Sequence, residues 1–170
     1  MVVVLDASNL VLGRLASEAA QILLNKRSEI TGVDADGKPK TVKVKPDEQV
    51  YIINADKCII LGDPSRTTER YLQRVHKKVL TNPRRGPFHP RQPEDIVKRA
   101  VRGMIGFNKP SGKTTYKKLK IFVGPSKFKD EAVTFTHISA DKTLSKRITV
   151  GELGRRLSTF GNKAHLLKTK

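Results

Sequence analysis

The stretch GKTT (112–115) is the closest approach to a nucleotide-binding motif in the sequence. It matches the end of the phosphate-binding loop GxxxxGK[ST], in which backbone amides and a lysine hold the phosphates. The residue five positions before Gly112 is Phe107 rather than glycine, and a predicted helix precedes the loop instead of a strand. Pro110 also restricts the backbone. A phosphate-binding enzyme using Asp6, Gly112 and Lys113 is therefore kept only as an alternative.

Histidine, cysteine and acidic residues form no constellation that predicts catalysis. Asp6 ends the first predicted strand, where α/β enzymes place active residues, but a lone aspartate there is typical of a turn. The strand-to-helix turn 6–13 has one glycine, Gly13, which we expect where the first helix packs closely on the sheet. Cys58 lies in an apolar run typical of an inert core thiol. No metal-ligand spacing joins the histidines, which are His76, His89, His137 and His165. We expect no enzymatic activity, metal or cofactor.

Positive charge is the dominant feature of the composition. The 34 Lys and Arg residues against 16 Asp and Glu give a net charge of +18, which indicates a polyanionic partner. Residues 1–65 hold 8 basic and 9 acidic residues, residues 66–129 hold 18 and 3, and residues 130–170 hold 8 and 4. The middle third is therefore predicted to carry the partner surface on a neutral first third. A merely solvated basic face is the alternative.

A stiff cationic loop, TNPRRGPFHPRQP (81–93), lies within that middle third. Arginine forks match phosphate oxygens in bidentate geometry, which gives Arg84, Arg85 and Arg91 a role in RNA binding. The prolines reduce the entropy that the loop loses when it docks. Phe88 and His89 could stack on an exposed base. For Phe88, an equal alternative is a packing anchor.

Two predicted amphipathic helices flank the loop. The first, 64–80, sets five cations within an arc of about 120°, opposite Tyr71, Leu72, Val75 and Val79; the cations are Arg66, Arg70, Arg74, Lys77 and Lys78. The second, 93–104, starts at Pro93 and sets Lys98, Arg99 and Arg102 opposite Ile96, Val97, Ala100, Val101 and Met104. A loop (105–113), a short helical turn (114–119) and the following strand add Lys109, Lys113, Lys117, Lys118 and Lys120. Without a known DNA-reading or RNA-sheet motif, this surface favours folded RNA as its partner.

The rest of the chain predicts an α/β domain. Apolar runs at 2–5, 50–54, 58–62 and 120–124 indicate buried strands, and 12–25 indicates a helix, so the chain begins with a βαβ unit. Residues 28–49 predict a β-hairpin with an Asp-Gly turn. Residues 128–140 are ambiguous. Residues 149–162 predict a C-terminal helix with Thr149 as cap and Gly161 as stop.

The length of 170 residues predicts a single domain, 1–170. It comprises the 28–49 hairpin insertion, basic loops and a helix at 81–120, and a C-terminal extension with a helix at 125–170. No apolar run approaches the ~20 residues that span a bilayer, and the start lacks the features of a signal peptide. We expect a soluble cytoplasmic protein without a membrane partner or a small-molecule substrate.

Several blocks together resemble the universal large-subunit ribosomal protein thirteen family. They are VLDASNLVLGRLASEAAQILLN, VYIINADKCIILGD, NPRRGPFHPRQPEDIVKRAVRGMIGF and KKLKIFVGPS, and they cover roughly two thirds of the chain in the family's order. The run from Pro93 to Met104 is the most specific. The loop NPRRGPFHPRQP and the tail TVGELGRRLSTFGNK look like the archaeal branch. The 28–49 hairpin departs from the short connection that this branch implies.

The resemblance implies a three-layer α/β/α fold around a parallel four-stranded sheet. It implies a monomer within the large ribosomal subunit that binds large-subunit rRNA and neighbouring ribosomal proteins, acts early in assembly and has no enzymatic activity. The family's RNA-facing residues map onto Arg84, Arg85, Gly86, His89 and Arg91, and onto the basic residues of 93–104 and 109–120. A free-standing RNA- or DNA-binding regulator is the alternative function.

Overall fold

A computed structural model describes residues 2–33, 37–46, 48–82, 84–125, 132–135, 139–142 and 145–166. Within them the strands are β1 (Val2–Asp6), β2 (Glu29–Val33), β3 (Pro39–Lys43), β4 (Gln49–Ile53), β5 (Ile59–Leu61), β6 (Leu119–Ile121) and β7 (Arg147–Thr149). The helices are α1 (Leu12–Leu23), α2 (Pro64–His76), α3 (Pro93–Met104), α4 (Pro110–Lys117) and α5 (Val150–Leu166).

The central sheet is parallel and has the strand order β1-β4-β6. Val4 of β1 lies opposite Tyr51 of β4, and Tyr51 in turn lies opposite Lys120 of β6. Helix α1 connects β1 to β4 and packs on the sheet, as a βαβ crossover requires. This arrangement confirms the predicted α/β class.

The strand predicted at 58–62 does not join the parallel sheet. Asn54 takes a left-handed conformation (φ 54°) and a short 3₁₀ helix follows at Ala55–Lys57, so the chain leaves the sheet. β5 instead pairs antiparallel with β7. The place beside β1 is taken by residues 132–135: Val133 accepts a hydrogen bond from Asp6 N (3.0 Å) and donates one to the Val4 carbonyl (3.0 Å).

The layers also differ from the expected α/β/α sandwich. Side chains alternate across the sheet, so Val3 and Leu5 join the main core with α1, α3 and α5. Val4 and Tyr51 face the other way, into a small cluster completed by Val2, Ile53, Phe122 and Ala132. No described helical residue belongs to that second cluster. Among the described residues, the helices thus cover one face of the sheet.

Helix α1 is the central support of this core. Its apolar residues recur at helical spacing, and Leu15, Ala16 and Ala19 are each fully buried. Small alanine side chains let α3 approach closely, and α3 contributes Val97 and Val101 to the same cluster. The sequence pattern of α1 predicted this face, but Gly13 is exposed, with no atom within 4 Å of the position of an added Cβ. The expectation that Gly13 permits close packing is wrong.

The predicted hairpin is confirmed as β2 paired with β3, and it is tied to the domain. Ile30 is fully buried, and Val33 exchanges two backbone hydrogen bonds with Thr134 (2.8 and 2.9 Å). Arg27, just before the hairpin, pairs with the buried Glu18 of α1 at 2.8 Å. The hairpin therefore continues the sheet through residues 132–135.

Helix α5 begins at the predicted cap and ends later than predicted. The Thr149 hydroxyl accepts a hydrogen bond from Glu152 N (3.2 Å), and Leu153 and Leu157 are buried in the main core. The helix runs on to Leu166, past Gly161, because a glycine within a helix costs only about 1 kcal/mol and does not by itself end it. No helix in the described part of the chain is long and apolar enough to cross a bilayer.

Gly32 and Gly13 provide a matched test of this packing. We expect Gly32→Ala to lower the free energy of unfolding by about 1–3 kcal/mol, since a Cβ would press on Val133 and lie 2.6 Å from the Thr134 carbonyl oxygen. Gly13→Ala, in open space on α1, should instead raise it by ~0.5–1 kcal/mol. Urea denaturation of both variants measures the difference. Equal stabilities would contradict the close contact at Gly32.

Candidate nucleic-acid interface

Helix α2 presents its predicted basic face. Asp63 caps the helix by accepting a hydrogen bond from Arg66 N (3.1 Å), and Pro64 takes the first turn. Thr68 is buried and Tyr71 packs on the core. The exposed side carries Arg66, Arg70 and Arg74 at successive four-residue steps.

The predicted end of this helix is wrong. Helix α2 stops at His76, and Lys77 is extended (ψ 115°). The residues that follow, from Lys77 to Leu80, are all exposed, so a longer helix would bury no further apolar side chain, and packing supplies most helix stability in proteins. Val79 is 43% exposed, so it does not join the core as predicted. Lys77 and Lys78 are exposed on the strand-like segment that enters the loop.

The proline-rich loop is held at both ends. Asn82 forms a turn at the first end. Its side-chain Oδ1 accepts a hydrogen bond from Arg84 N (3.1 Å), and its backbone carbonyl accepts one from Arg85 N (3.0 Å). At the far end Gly154 of α5 packs on Arg91, where an added Cβ would lie 3.0 Å from the Arg91 carbonyl oxygen. The side chains of Arg84, Arg85 and Arg91 are exposed, and Gly86 is buried.

Phe88 and His89 differ in how far their side chains are exposed. Phe88 is 77% exposed, so its side chain is not a packing anchor. Its carbonyl oxygen accepts a hydrogen bond from Arg99 Nη1 of α3 (3.2 Å). His89 is partly buried, and burial lowers its pKa, helped by the cations of Arg99, Arg74 and Lys77. This lowered pKa favours the neutral imidazole of His89.

Helix α3 separates apolar and basic sides as predicted. Ile96, Val97 and Val101 are buried, Arg99 and Arg102 are exposed, and Lys98 is partly exposed. The one departure on the apolar side is Met104, which is 42% exposed beside the Ser17 hydroxyl (3.4 Å) because it lies at the edge of the α1–α3 contact.

On and around α2 and α3, three aromatic rings lie beneath cations, and the sequence reasoning missed all three. Arg102 lies 4.1 Å from the Phe107 ring centroid, and Lys98 lies 5.5 Å from that of Tyr116. The two rings also meet edge to face at 5.1 Å. On α2, Arg74 lies 5.5 Å from the Tyr71 ring. Only this last pair, three residues apart on a helix, has a signal in the sequence; the others depend on how α4 folds back on α3.

The elements meet in three adjoining hollows. Arg74 and His89 line the first, Arg91 and Lys98 the second, and Arg102 the third, while Arg99 borders all three. We call these cations, together with the exposed loop residues Arg84 and Arg85 and with Tyr71, Phe88, His89 and Tyr116, the α2–α3 surface. The structure thus brings together residues from α2, the loop, α3 and α4 that lie up to 45 positions apart, from Tyr71 to Tyr116.

The remaining lysines lie on α4 and β6. Helix α4 begins at Pro110 rather than at 114, because proline suits the first turn, and it exposes Lys109, Lys113 and Lys117 along one side. Lys118 is partly buried at its end. Lys120 belongs elsewhere: it donates a hydrogen bond to the Tyr51 hydroxyl (3.3 Å) on the sheet face away from α3.

The GKTT stretch is helical. Gly112 packs against the preceding loop, where an added Cβ would lie 2.5 Å from the Gly106 carbonyl oxygen. Lys113 N donates a hydrogen bond to the Lys109 carbonyl oxygen (3.2 Å), and the Thr114 hydroxyl donates one to the Pro110 carbonyl oxygen (3.2 Å). The segment is not the strand–loop–helix that a phosphate-binding loop requires.

The other residues considered for catalysis have structural partners. Asp6 Oδ1 accepts hydrogen bonds from Ser8 N (2.9 Å), the Ser8 hydroxyl (2.8 Å) and Asn54 Nδ2 (2.9 Å), as a turn residue does. Cys58 is fully buried, and burial raises its pKa to about 12. Within the described part of the chain, no group of His, Cys, Asp or Glu could hold a metal ion.

The site is thus a basic surface lined with aromatic rings on an α/β core. A family model described as Ribosomal protein L13 matches residues 1–127. Large ribosomal subunit protein uL13 of Methanosphaera stadtmanae is 36% identical over 159 residues, or 92% of this chain and 97% of the relative. The proteins of that name from Methanococcus maripaludis (35%; 91% and 96%) and Sulfolobus acidocaldarius (35%; 92% and 93%) are also similar.

The chain belongs to the ribosomal protein L13 family. This confirms the resemblance stated from the sequence, and the archaeal origin of these relatives agrees with the archaeal form of the loop and tail. The family is one of ribosome components rather than enzymes.

Cys58 gives a direct test of the inert thiol. In the folded protein it should react with a thiol-specific reagent at pH 8 on the order of 10³ times more slowly than after unfolding, because its thiolate is that much scarcer. Reaction with Ellman's reagent, with and without denaturant, measures both rates. Equal rates would show that the thiol is accessible and ionisable in the fold.

Proposed function

We propose that the protein is a structural constituent of the large ribosomal subunit and binds folded rRNA through the α2–α3 surface. The observation that carries the proposal is that α2, the loop and α3 converge, with Arg74 and Arg99 bordering the same hollow. Family membership supports the ribosomal setting, because the relatives bear the name large ribosomal subunit protein. Neighbouring ribosomal proteins are then further partners.

The chemistry of the surface fits phosphate recognition. Guanidinium groups offer several donors in a fixed plane, suited to bidentate contacts with phosphate oxygens. Arg84 and Arg85 add two exposed cations on a loop whose shape is set by prolines and by the Asn82 turn. A surface making 6–10 phosphate contacts loses about 10³–10⁵ in affinity between 50 and 200 mM salt on duplex DNA. We expect a similarly steep dependence on rRNA.

The remaining predicted contacts extend this surface. Arg66 and Arg70 continue the exposed side of α2 beyond Arg74, and Lys77 and Lys78 lead from α2 into the loop. Lys109, Lys113 and Lys117 lie along α4. We assign them outer phosphate contacts. Lys118 and Lys120 are more weakly supported, because one is partly buried and the other bonds Tyr51 on the far side of the sheet.

A role in early assembly is part of the same proposal. The core buries its apolar residues within one chain, which supports a basic surface whose helices are in place before RNA binds. A preformed surface loses little conformational entropy on binding, which suits a protein that organises RNA.

Co-sedimentation tests the ribosomal setting. The protein should appear in purified large subunits at one copy each and remain there through washes at moderate salt. Recovery from the soluble pool, with none in large subunits, would favour a free-standing RNA-binding regulator instead.

Replacing Arg84 and Arg85 by Ala tests the surface. Affinity for rRNA should fall about a hundredfold or more, since charge-assisted hydrogen bonds contribute ~1.5–3 kcal/mol each and two arginines are removed. The log–log salt slope should flatten by about 2. The free energy of unfolding should change by less than ~0.5 kcal/mol, since both side chains are exposed. Filter binding at several salt concentrations, with thermal melts, measures these quantities.

The matched control is a second double variant, which removes two cations outside the α2–α3 surface. Lys43 and Lys45, on and just after β3, are exposed and lie outside the α2–α3 surface. Replacing both by Ala should leave affinity and salt slope nearly unchanged. An equal loss in both double variants would mean that binding follows total charge and not this surface.

A further inference from the structure

The hollow between α2 and α3 has apolar walls that phosphate binding alone does not require. It has a volume of about 210 Å³. Tyr71, Pro90, Ile96 and Ala100 form its apolar walls, while Arg74, Arg99 and His89 supply the polar groups. Phosphates need cations and donors but gain nothing from apolar walls, so a second chemistry is indicated.

The size of the hollow limits its occupant. Sites for drug-sized ligands measure about 300–1,000 Å³, and this one is smaller. It has room for a single ring system and no room for a base pair. A nucleobase combines a flat apolar face with polar edges, which fits apolar walls that carry a few polar groups.

The polar groups are positioned for a nucleotide. Arg99 Nη1 is held by the Phe88 carbonyl oxygen (3.2 Å), and Arg74 lies over the Tyr71 ring at 5.5 Å. Each guanidinium has further N–H donors beyond these contacts. Neutral His89 can both donate and accept a hydrogen bond, as reading a base edge requires.

We propose that this hollow receives one unpaired nucleobase of RNA, whose flanking phosphates lie on Arg74 and Arg99. The proposal rests on the proposed function and adds base recognition to it. The charge around the hollow favours RNA over an uncharged ligand or an apolar protein side chain. Phe88, exposed in the adjoining hollow with His89 and Arg99, is placed to stack on the next base.

Filling the hollow tests the proposal without removing charge. Ala100→Leu adds bulk at its wall, and rRNA affinity should fall about tenfold, as expected for the loss of one stacked base, with the salt slope unchanged. Ser65→Leu, on an exposed α2 position that lines none of the three hollows, should bind like the unaltered protein. Thermal melts establish that both variants fold.

Ultraviolet crosslinking of intact large subunits needs no variant. Mass spectrometry of the digested chain should find a nucleotide adduct on Tyr71 or on the Phe88–His89 peptide. If Ala100→Leu folds and binds normally and adducts occur only elsewhere on the chain, the base pocket is refuted while rRNA binding stands. If the unaltered protein neither binds rRNA nor crosslinks to it, both the base pocket and the proposed function are refuted. A peptide or a small molecule crosslinked in the hollow would also overturn the base assignment.

Discussion

Burial of one side of α3 supports the whole basic surface. Ile96, Val97 and Val101 are at most 3% exposed, and burying side chains of this size contributes roughly 1.5–3 kcal/mol each. On the other side Lys98 and Arg102 are one turn apart, where like charges cost only ~0.2–0.5 kcal/mol. Hydrophobic burial exceeds this repulsion several-fold. The helix can therefore carry several cations on its exposed side and present them to another molecule.

The same division separates stability from binding. Two close ion pairs, Arg27 with Glu18 and Arg156 with Glu152, lie outside the α2–α3 surface. Cations of that surface instead contact rings and a carbonyl oxygen, as Arg102 does with Phe107 and Arg99 with Phe88. Such contacts orient the side chains while leaving the positive charge unneutralised. Salt should consequently act on binding far more than on folding.

The sequence predicted what local signals determine. Proline at the first turn and apolar residues at helical spacing located α3 to the residue. Two apolar runs separated by a helix predicted the parallel βαβ pairing of β1 with β4. Features that depend on tertiary contacts could not be predicted from the sequence. The apolar pattern of β5 fits a central strand, but the left-handed Asn54 turns the chain away. Likewise, nothing in the sequence sets Tyr116 beneath Lys98, because α4 must first fold back on α3.

Phe88 and His89 show how the fold resolves an ambiguity that composition leaves open. Both residues follow Pro87 in a loop with little to bury, and either one fits packing or stacking. The hydrogen bond from Arg99 to the Phe88 carbonyl fixes the backbone between them, so their side chains diverge. His89 turns towards α2 and loses hydration, which lowers its pKa, whereas Phe88 stays 77% exposed. An exposed ring on a stiff loop contributes little to folding, yet it loses little entropy on stacking. Under the proposed function, the loop's rigidity therefore serves binding more than stability.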